Sequence, residues 1–250
     1  MTPPPSVVVA IPAHDEEATI GETVISVRVA LDWARRSGVI GTGRIHVAAH
    51  RCSDHTQLFA TDALDGRAGE VWRDDSSATI GKVRDRAVRR GLARLPERSV
   101  DTWVMSTDAD TVVPVRWVED VVRLGGDHQA DAVVGLAQLD AFRGTDAALA
   151  AYARILDNGY VSEGDRLHQH DHIYGANLAV RAEAYLAAGG FPDVPHGEDR
   201  LLVEAVANAG GTVLRTTDVV VTTSGRLLGR AHDGLATLLR GLDETSHVSA

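Results

Sequence analysis

The sequence has one cysteine, no excess of basic residues and no long apolar run. With Cys52 alone, neither an intrachain disulfide nor a Cys-x-x-Cys zinc site is possible. A formal net charge of −10 argues against binding to a nucleic-acid backbone or to an anionic membrane surface. No stretch approaches the roughly 20 apolar residues of a membrane helix, and the first residues lack the pattern of a signal peptide. We therefore expect a soluble cytoplasmic protein with no nucleic-acid partner and no integral membrane segment.

The chain also lacks internal repeats, low-complexity tracts and any Ser/Gly-rich linker. Its 250 residues suit one large α/β domain, and 44% apolar residues are enough for a sizeable core. We therefore expect a single domain over residues 1–250.

Short apolar runs alternate with amphipathic stretches along the chain. The strands predicted from the runs are Val7–Ile11, Ile45–Ala49, a short strand around Val71–Trp72, Thr102–Ser106 and Ala132–Gly135. The predicted helices are Glu16–Arg36, one beginning near Ser53–Asp54, Ile80–Leu95 and one opened by Pro114. This alternation predicts an α/β fold with a mostly parallel sheet and helices on both faces. Ligands of such sheets bind at the carboxyl ends of the strands.

Polar residues follow three of the predicted strands, at positions 12–17, 50–56 and 106–110. Asp15, Ser53 and Asp54 are good helix caps, which is the simpler interpretation of the first two segments. In the third, Asp108 and Asp110 point the same way because they are two residues apart on an extended segment. A hard divalent cation would relieve their repulsion and could neutralise a diphosphate leaving group.

Six motifs follow one another in a fixed order. They are IPAHDEE (11–17), CSDHT (52–56), GKVR (81–84), WVMSTDAD (103–110), GANLAVR (175–181) and GGFP…GEDRL (189–201). In sequence and order they resemble family 2 glycosyltransferases, which have the GT-A fold. The resemblance covers nearly the whole chain, from about residue 7 to 229. It implies a transferase that moves a hexosyl group from a nucleotide-diphosphate sugar to an acceptor hydroxyl, with inversion expected and retention possible on this fold.

The resemblance also implies that different parts of the chain bind the donor and the acceptor. A nucleotide-sugar-binding half would span about 6–110, an acceptor-binding half about 111–230, and a C-terminal tail 231–250. The implied donor-binding residues are Pro12, His14, Glu16, His50, Asp54, Lys82, Arg84, Asp108 and Asp110. The implied acceptor-binding residues are His172, Gly175 and Asn177; the implied catalytic residues are Asp199, as general base, and Glu198. The implied ligands of Mg²⁺ or Mn²⁺ are Asp108, Asp110 and His232.

The chain departs from the family pattern after its second strand. Ala49 and His50 stand where the family commonly has two aspartates, one of which helps to hold the donor's base. The helix at Gly81 also lacks the usual Ala-Leu-Asn. The resemblance therefore leaves the identity of the donor base open.

Several polar residues admit two interpretations. Alternating His168, His170 and His172 could bind a transition metal, although an acceptor-binding or solvated loop is favoured. His232 could complete a metal site or be an exposed polar residue. Arg226 and Arg230 form a candidate phosphate clamp.

Two rival functions remain open. A nucleotidyltransferase of similar fold would need a Gly-rich loop with Arg and Lys after the first strand, where this chain has His14 and acidic residues. A non-catalytic sugar-nucleotide-binding protein is favoured by Ala49 and His50, but the carboxylates at 108, 110, 198 and 199 argue against it.

Overall fold

Strand β1 (Ser6–Ala13) lies inside the molecule, and its apolar residues from Val7 to Ile11 are fully buried. The computed structural model describes residues 3–95, 101–140, 145–158, 160–163, 167–170, 172–226 and 241. β1 pairs in parallel with β2 (Thr42–His50) on one side and β4 (Thr102–Ser106) on the other, and β2 pairs in parallel with β3 (Gly69–Asp74). These strands form the parallel half of the sheet.

The second half of the sheet contains reversed strands. β9 (Leu178–Arg181) lies between β4 and β6 (Ala132–Asp140) and is antiparallel to both. β10 (Val213–Ser224) is parallel to β6, and the two-residue β5 (Thr111–Val112) is antiparallel to β10. The complete order is β3-β2-β1-β4-β9-β6-β10-β5. A separate hairpin is formed by β7 (Tyr160–Glu163) and β8 (Leu167–His170). The expected α/β class is confirmed; the reversed strands β9 and β5 are features that the sequence did not predict.

Helices cover both faces of the sheet. They are α1 (Ile20–Arg36), α2 (Thr56–Leu64), α3 (Ile80–Ala93), α4 (Trp117–Asp127), α5 (Asp146–Asn158), α6 (Ala182–Ala187) and α7 (Glu198–Asn208). Buried side chains of α1, α2 and α4 belong to one apolar cluster, and those of α3, α6 and α7 belong to a second. β1 contributes to both clusters because successive strand side chains point to opposite faces. Among the described residues, no helix has the length and apolar content that crossing a bilayer requires.

Several element boundaries differ from those predicted. α1 begins at Ile20 rather than Glu16, because residues 16–19 form a turn before the first helical hydrogen bonds. α2 begins at Thr56, whose amide donates to the Asp54 carboxylate at 2.9 Å. Pro114 does not open α4; its carbonyl accepts from the amide of Trp117, where the helix starts. Non-helical turns thus occupy the first residues assigned to these helices.

Candidate active site

The loops after β1 and β2 are joined by hydrogen bonds at the carboxyl edge of the sheet. Asp15 adopts a left-handed backbone conformation, with φ of 52°, and its carboxylate accepts from the amide of Ser53 at 2.7 Å. The amide of Glu16 donates to the hydroxyl of Thr56 at 2.7 Å, and that of Glu17 donates to the carboxylate of Asp54 at 3.0 Å. Asp54, expected to bind the donor, therefore links the first loop to the first residue of α2.

Two imidazoles lie beside this joined pair of loops. Nδ1 of His14 donates to the carbonyl oxygen of His50 at 2.8 Å, and Nδ1 of His50 donates to the carbonyl oxygen of Asp74 at 2.9 Å. Their ring centroids are 6.1 Å apart. The sequence did not single out Asp74, although its buried carboxylate fixes the turn before α3 by accepting from Ser77 Oγ and from Arg86 Nη1.

Asp110 lies in a cluster of carboxylates just beyond β4. Burial, reinforced by the negative charge of Asp108 and of Glu16, raises its pKa to about 6. Arg226 follows β10 and contacts the cluster: its Nη2 is 3.1 Å from Asp110 Oδ2, and its guanidinium donates to both oxygens of Glu16 at 2.8 and 2.5 Å. Arg226 therefore offsets part of the negative charge of this cluster.

Arg84 joins the end of β4 to the start of α7. Its guanidinium contacts the Asp108 carboxylate, and its Nε donates to Glu198 Oε1 at 3.1 Å. Nη1 also donates to the carbonyl oxygen of Gly175 at 3.3 Å. Arg84 is 4% exposed. The guanidinium of Arg84 is thus bonded inside the protein, and its expected contact with the donor stays a prediction. Lys82 is half-exposed and its amine lies 3.7 Å from the carboxylate of Asp85.

Glu198 and Asp199 form the first turn of α7, as the acidic pattern suggested. Gly197 precedes them in the left-handed conformation, with φ of 76°, which glycine adopts without strain. Oδ2 of Asp199 accepts from the amide of Gly175 at 2.8 Å. A Cβ at Gly175 would lie 2.7 Å from Arg84 Nη2, so a larger residue here would displace the Arg84 guanidinium. Asp199 is half-buried, whereas Glu198 is buried and its pKa is raised by that burial.

The three residues expected to bind the acceptor make different contacts in the structure. Gly175 contacts Asp199 as described, and the ring of His172 stacks on that of Tyr174 at 5.8 Å. Asn177 is 1% exposed, and its side-chain amide forms hydrogen bonds inside the core. Asn177 therefore has a structural role, and its expected contact with an acceptor stays a prediction.

His232 and Arg230 are outside the described residues. His168 and His170 lie in strand β8. Asp171, which precedes His172, falls outside the described part of the chain. The proposed roles of these residues stay predictions, as does the division into two halves.

Comparison with known proteins supports the architecture. No protein-family model matches the sequence, and no curated protein matches it by sequence. Among solved structures, a mannosyltransferase from Pyrobaculum calidifontis in complex with GDP-Man and Mn²⁺ has a TM-score of 0.64 and 17% identity. The alignment covers 92% of this chain and 59% of that one.

Two further structures show the same similarity. Residues 1–349 of S. aureus TarS in complex with UDP-GlcNAc give a TM-score of 0.64 at 14% identity, over 98% of this chain and 67% of that one. GalNAc-T7 with UDP, GalNAc and Mn²⁺ gives a TM-score of 0.62 at 15% identity, over 88% of this chain and 44% of that one. The chain thus spans about three fifths of the first relative. The similarity establishes the GT-A fold and confirms that the resemblance seen in the motifs holds at the level of structure.

Proposed function

We propose that this chain is a metal-dependent glycosyltransferase that moves a sugar from a nucleotide diphosphate to an acceptor hydroxyl, with inversion. One observation carries the proposal. Arg84 bonds both to Asp108, at the end of β4, and to Glu198, at the start of α7. Two acidic motifs separated by 90 residues thereby meet at one edge of a GT-A sheet, where ligands of such sheets bind.

The residues around Asp110 fit a hard divalent cation. Asp108 and Asp110 offer only oxygen atoms, and Mg²⁺ is usually held by one or two carboxylates together with water and substrate phosphates. The raised pKa of Asp110 reflects burial and negative charge that a cation would offset. When bound, Mg²⁺ or Mn²⁺ would supply positive charge to the departing diphosphate. The structures of two GT-A proteins with Mn²⁺ support this assignment.

The donor would lie along the joined loops after β1 and β2. Pro12 lies near the end of β1 and His14 just after it, His50 is the last residue of β2, and Lys82 lies at the start of α3. The half-exposed amine of Lys82 can approach a phosphate, whereas the guanidinium of Arg84 is already bonded inside the protein. GDP and UDP sugars both occur in the similar structures, so the base stays open.

Asp199 is the proposed general base. Its carboxylate would take the proton of the acceptor hydroxyl as that oxygen bonds to the anomeric carbon and the bond to the diphosphate breaks. The amide of Gly175 orients Oδ2 for this transfer. The stacked rings of His172 and Tyr174 lie nearby in sequence and offer an apolar face to a sugar. Glu198, held by Arg84, is assigned a positioning role.

Nucleotide titration calorimetry with and without EDTA tests the proposal. With Mn²⁺ present, we expect a nucleoside diphosphate to bind; with EDTA or in Asp110→Ala, binding should fall at least tenfold. Asp127→Asn, which removes an exposed carboxylate at the end of α4, is the matched control. Equal affinity with and without EDTA, or full transfer activity in Asp110→Ala, would contradict the metal assignment.

One observation favours the non-catalytic alternative. Asp108 and Asp110 already contact arginines, so the acidic cluster is partly neutralised without a metal. A sugar-nucleotide-binding protein would bind donor yet show neither donor hydrolysis nor transfer in the presence of Mn²⁺. Turnover of donor by the purified protein distinguishes the two functions.

A further inference from the structure

We propose that His14, Asp15 and Cys52 form a binding site for a transition metal of the zinc type, distinct from the Asp108–Asp110 pair. One ligand atom from each residue lies within 4.8 Å of the others. Within the described part of the chain, this is the one group of three potential ligands that satisfies that distance. The proposal does not depend on the transferase activity.

The histidine has one ring nitrogen held by the protein and one left for a metal, and Oδ2 of the aspartate, which among the described residues accepts only from Ser53 Oγ at 3.3 Å, keeps a lone pair for it. Because a carbonyl oxygen only accepts, Nδ1 of His14 must donate to His50, which leaves the lone pair on Nε2. Oδ1 of Asp15 accepts from the amides of Ser53 and Asp54, while Oδ2 lies 4.0 Å from Nε2 of His14. Metal-binding histidines are commonly oriented by a carbonyl in this way.

The sulfur of Cys52 completes the set. The amide of Asp15 points at Sγ from 3.4 Å, and Sγ lies 3.5 Å from the carbonyl oxygen of Ala13. The thiol is therefore folded back against the loop that carries the other two ligands. On metal binding its proton would leave to solvent, and the thiolate would bond to the metal.

The chemistry of the three atoms selects the class of metal. A set of imidazole nitrogen, carboxylate oxygen and thiolate suits Zn²⁺ or Co²⁺ and not Mg²⁺. Bonds of about 2.0–2.3 Å in a tetrahedral site place ligand atoms roughly 3–4 Å apart, so small side-chain rotations suffice. Three protein ligands leave a fourth position for water or a bound molecule.

Cobalt titration followed by absorbance tests the site. We expect one equivalent of Co²⁺ to give a thiolate-to-cobalt charge-transfer band and tetrahedral visible bands, both removed by adding Zn²⁺. Cys52→Ser should lose the charge-transfer band, and His14→Gln should weaken cobalt binding at least tenfold. Thermal unfolding of each variant verifies that it is folded.

Two control variants keep the outcomes distinct. His55→Gln removes an exposed histidine from the loop that carries Cys52. This histidine pairs with Glu17, and the variant should keep the full cobalt spectrum. Asp110→Asn should also keep the spectrum while losing Mn²⁺-dependent nucleotide binding, so that failure of one site does not imply failure of the other. The proposal is overturned if wild type shows no charge-transfer band, if the band survives Cys52→Ser, or if His55→Gln weakens cobalt binding as much as His14→Gln.

Discussion

Among single residues, Asp110 is a carboxylic acid whose ionisation is opposed by its surroundings. Its pKa of about 6 lies above the ordinary 3.8, so between these values the folded protein binds more protons than the unfolded chain. Stability therefore falls as pH rises through this window, and the penalty is fully present above about pH 6. A carboxylate kept at such a position is typical of a functional site.

Asp110→Asn should therefore stabilise the metal-free protein at neutral pH. A shift of about two pKa units corresponds to at most about 3 kcal/mol, and the gain should vanish near pH 4. Denaturant unfolding in EDTA at several pH values measures it. Mn²⁺ with nucleotide should stabilise the wild type but not the variant. A stability difference that is independent of pH would contradict the argument.

Asp199 supplies the second prediction at this scale. Asp199→Asn keeps the shape and its bond to the Gly175 amide but removes the basicity, so turnover should fall about 10²–10⁴-fold while donor binding is unchanged. Glu204→Gln, an exposed acid on the same helix, is the matched control. Near-normal turnover by the Asp199 variant would move the assignment to Glu198 or to a retaining mechanism.

At the scale of elements, one buried amide connects three of them. Trp117 Nε1 in α4 donates to Asn177 Oδ1 at 2.9 Å, while Nδ2 donates to the carbonyl oxygens of Leu136 in β6 and Val219 in β10 at 2.8 and 3.0 Å. The hydrogen bonds of Asn177 thus fix helix α4 against the reversed region of the sheet.

Asn177→Ala should destabilise the fold, because it leaves an indole N–H and two carbonyls in the core without their partner. Each such loss costs about 1–3 kcal/mol, and we expect a total of at least about 3 kcal/mol in urea unfolding. Asn208→Ala, at the exposed end of α7, should change stability little. An Asn177 variant as stable as wild type would refute the structural role.

The sequence predicted those parts of the fold that depend on local pattern. Thr102–Ser106 was predicted to the residue because a short buried strand is marked by its own apolar run. The position of β9 was not predicted, since its partners lie far away in the chain. For the same reason the interior roles of Arg84 and Asn177 were missed: their partners are up to 114 and 60 residues distant. Local sequence shows a polar residue near a strand end but not which way it faces.

At the scale of the whole molecule, Arg226 connects the end of the last described strand to the first loop. Its bonds to Glu16 span 210 residues, and the same guanidinium contacts Asp110. Glu16 is 6% exposed, so the pair is shielded from solvent on its acidic side. The positive charge that offsets the acidic cluster therefore comes from a residue far along the chain, and it is held in place by a residue near the beginning of the chain.

Arg226→Gln should raise the affinity for Mn²⁺ and lower the affinity for a nucleoside diphosphate. Without the guanidinium, Mn²⁺ alone should bind more tightly, by up to about tenfold, or 1.4 kcal/mol, because no cation competes for Asp110. Binding of the nucleoside diphosphate should weaken, because arginine matches phosphate geometry. Calorimetry with each ligand measures both. Arg94→Gln, which removes an exposed arginine just beyond the C-terminal end of α3, should alter neither. Parallel changes in both affinities would contradict this account.

The reversed strand β9 also governs the order in which the chain can assemble during synthesis. Strands β1 to β4 emerge first and can pair among themselves, yet the outer edge of β4 pairs only with residues 178–181, more than 70 residues later. Until those residues leave the ribosome, a nascent chain exposes an unpaired apolar edge, which is a template for aggregation. Chains halted before residue 178 should therefore depend on chaperones far more than chains halted just beyond the end of β10.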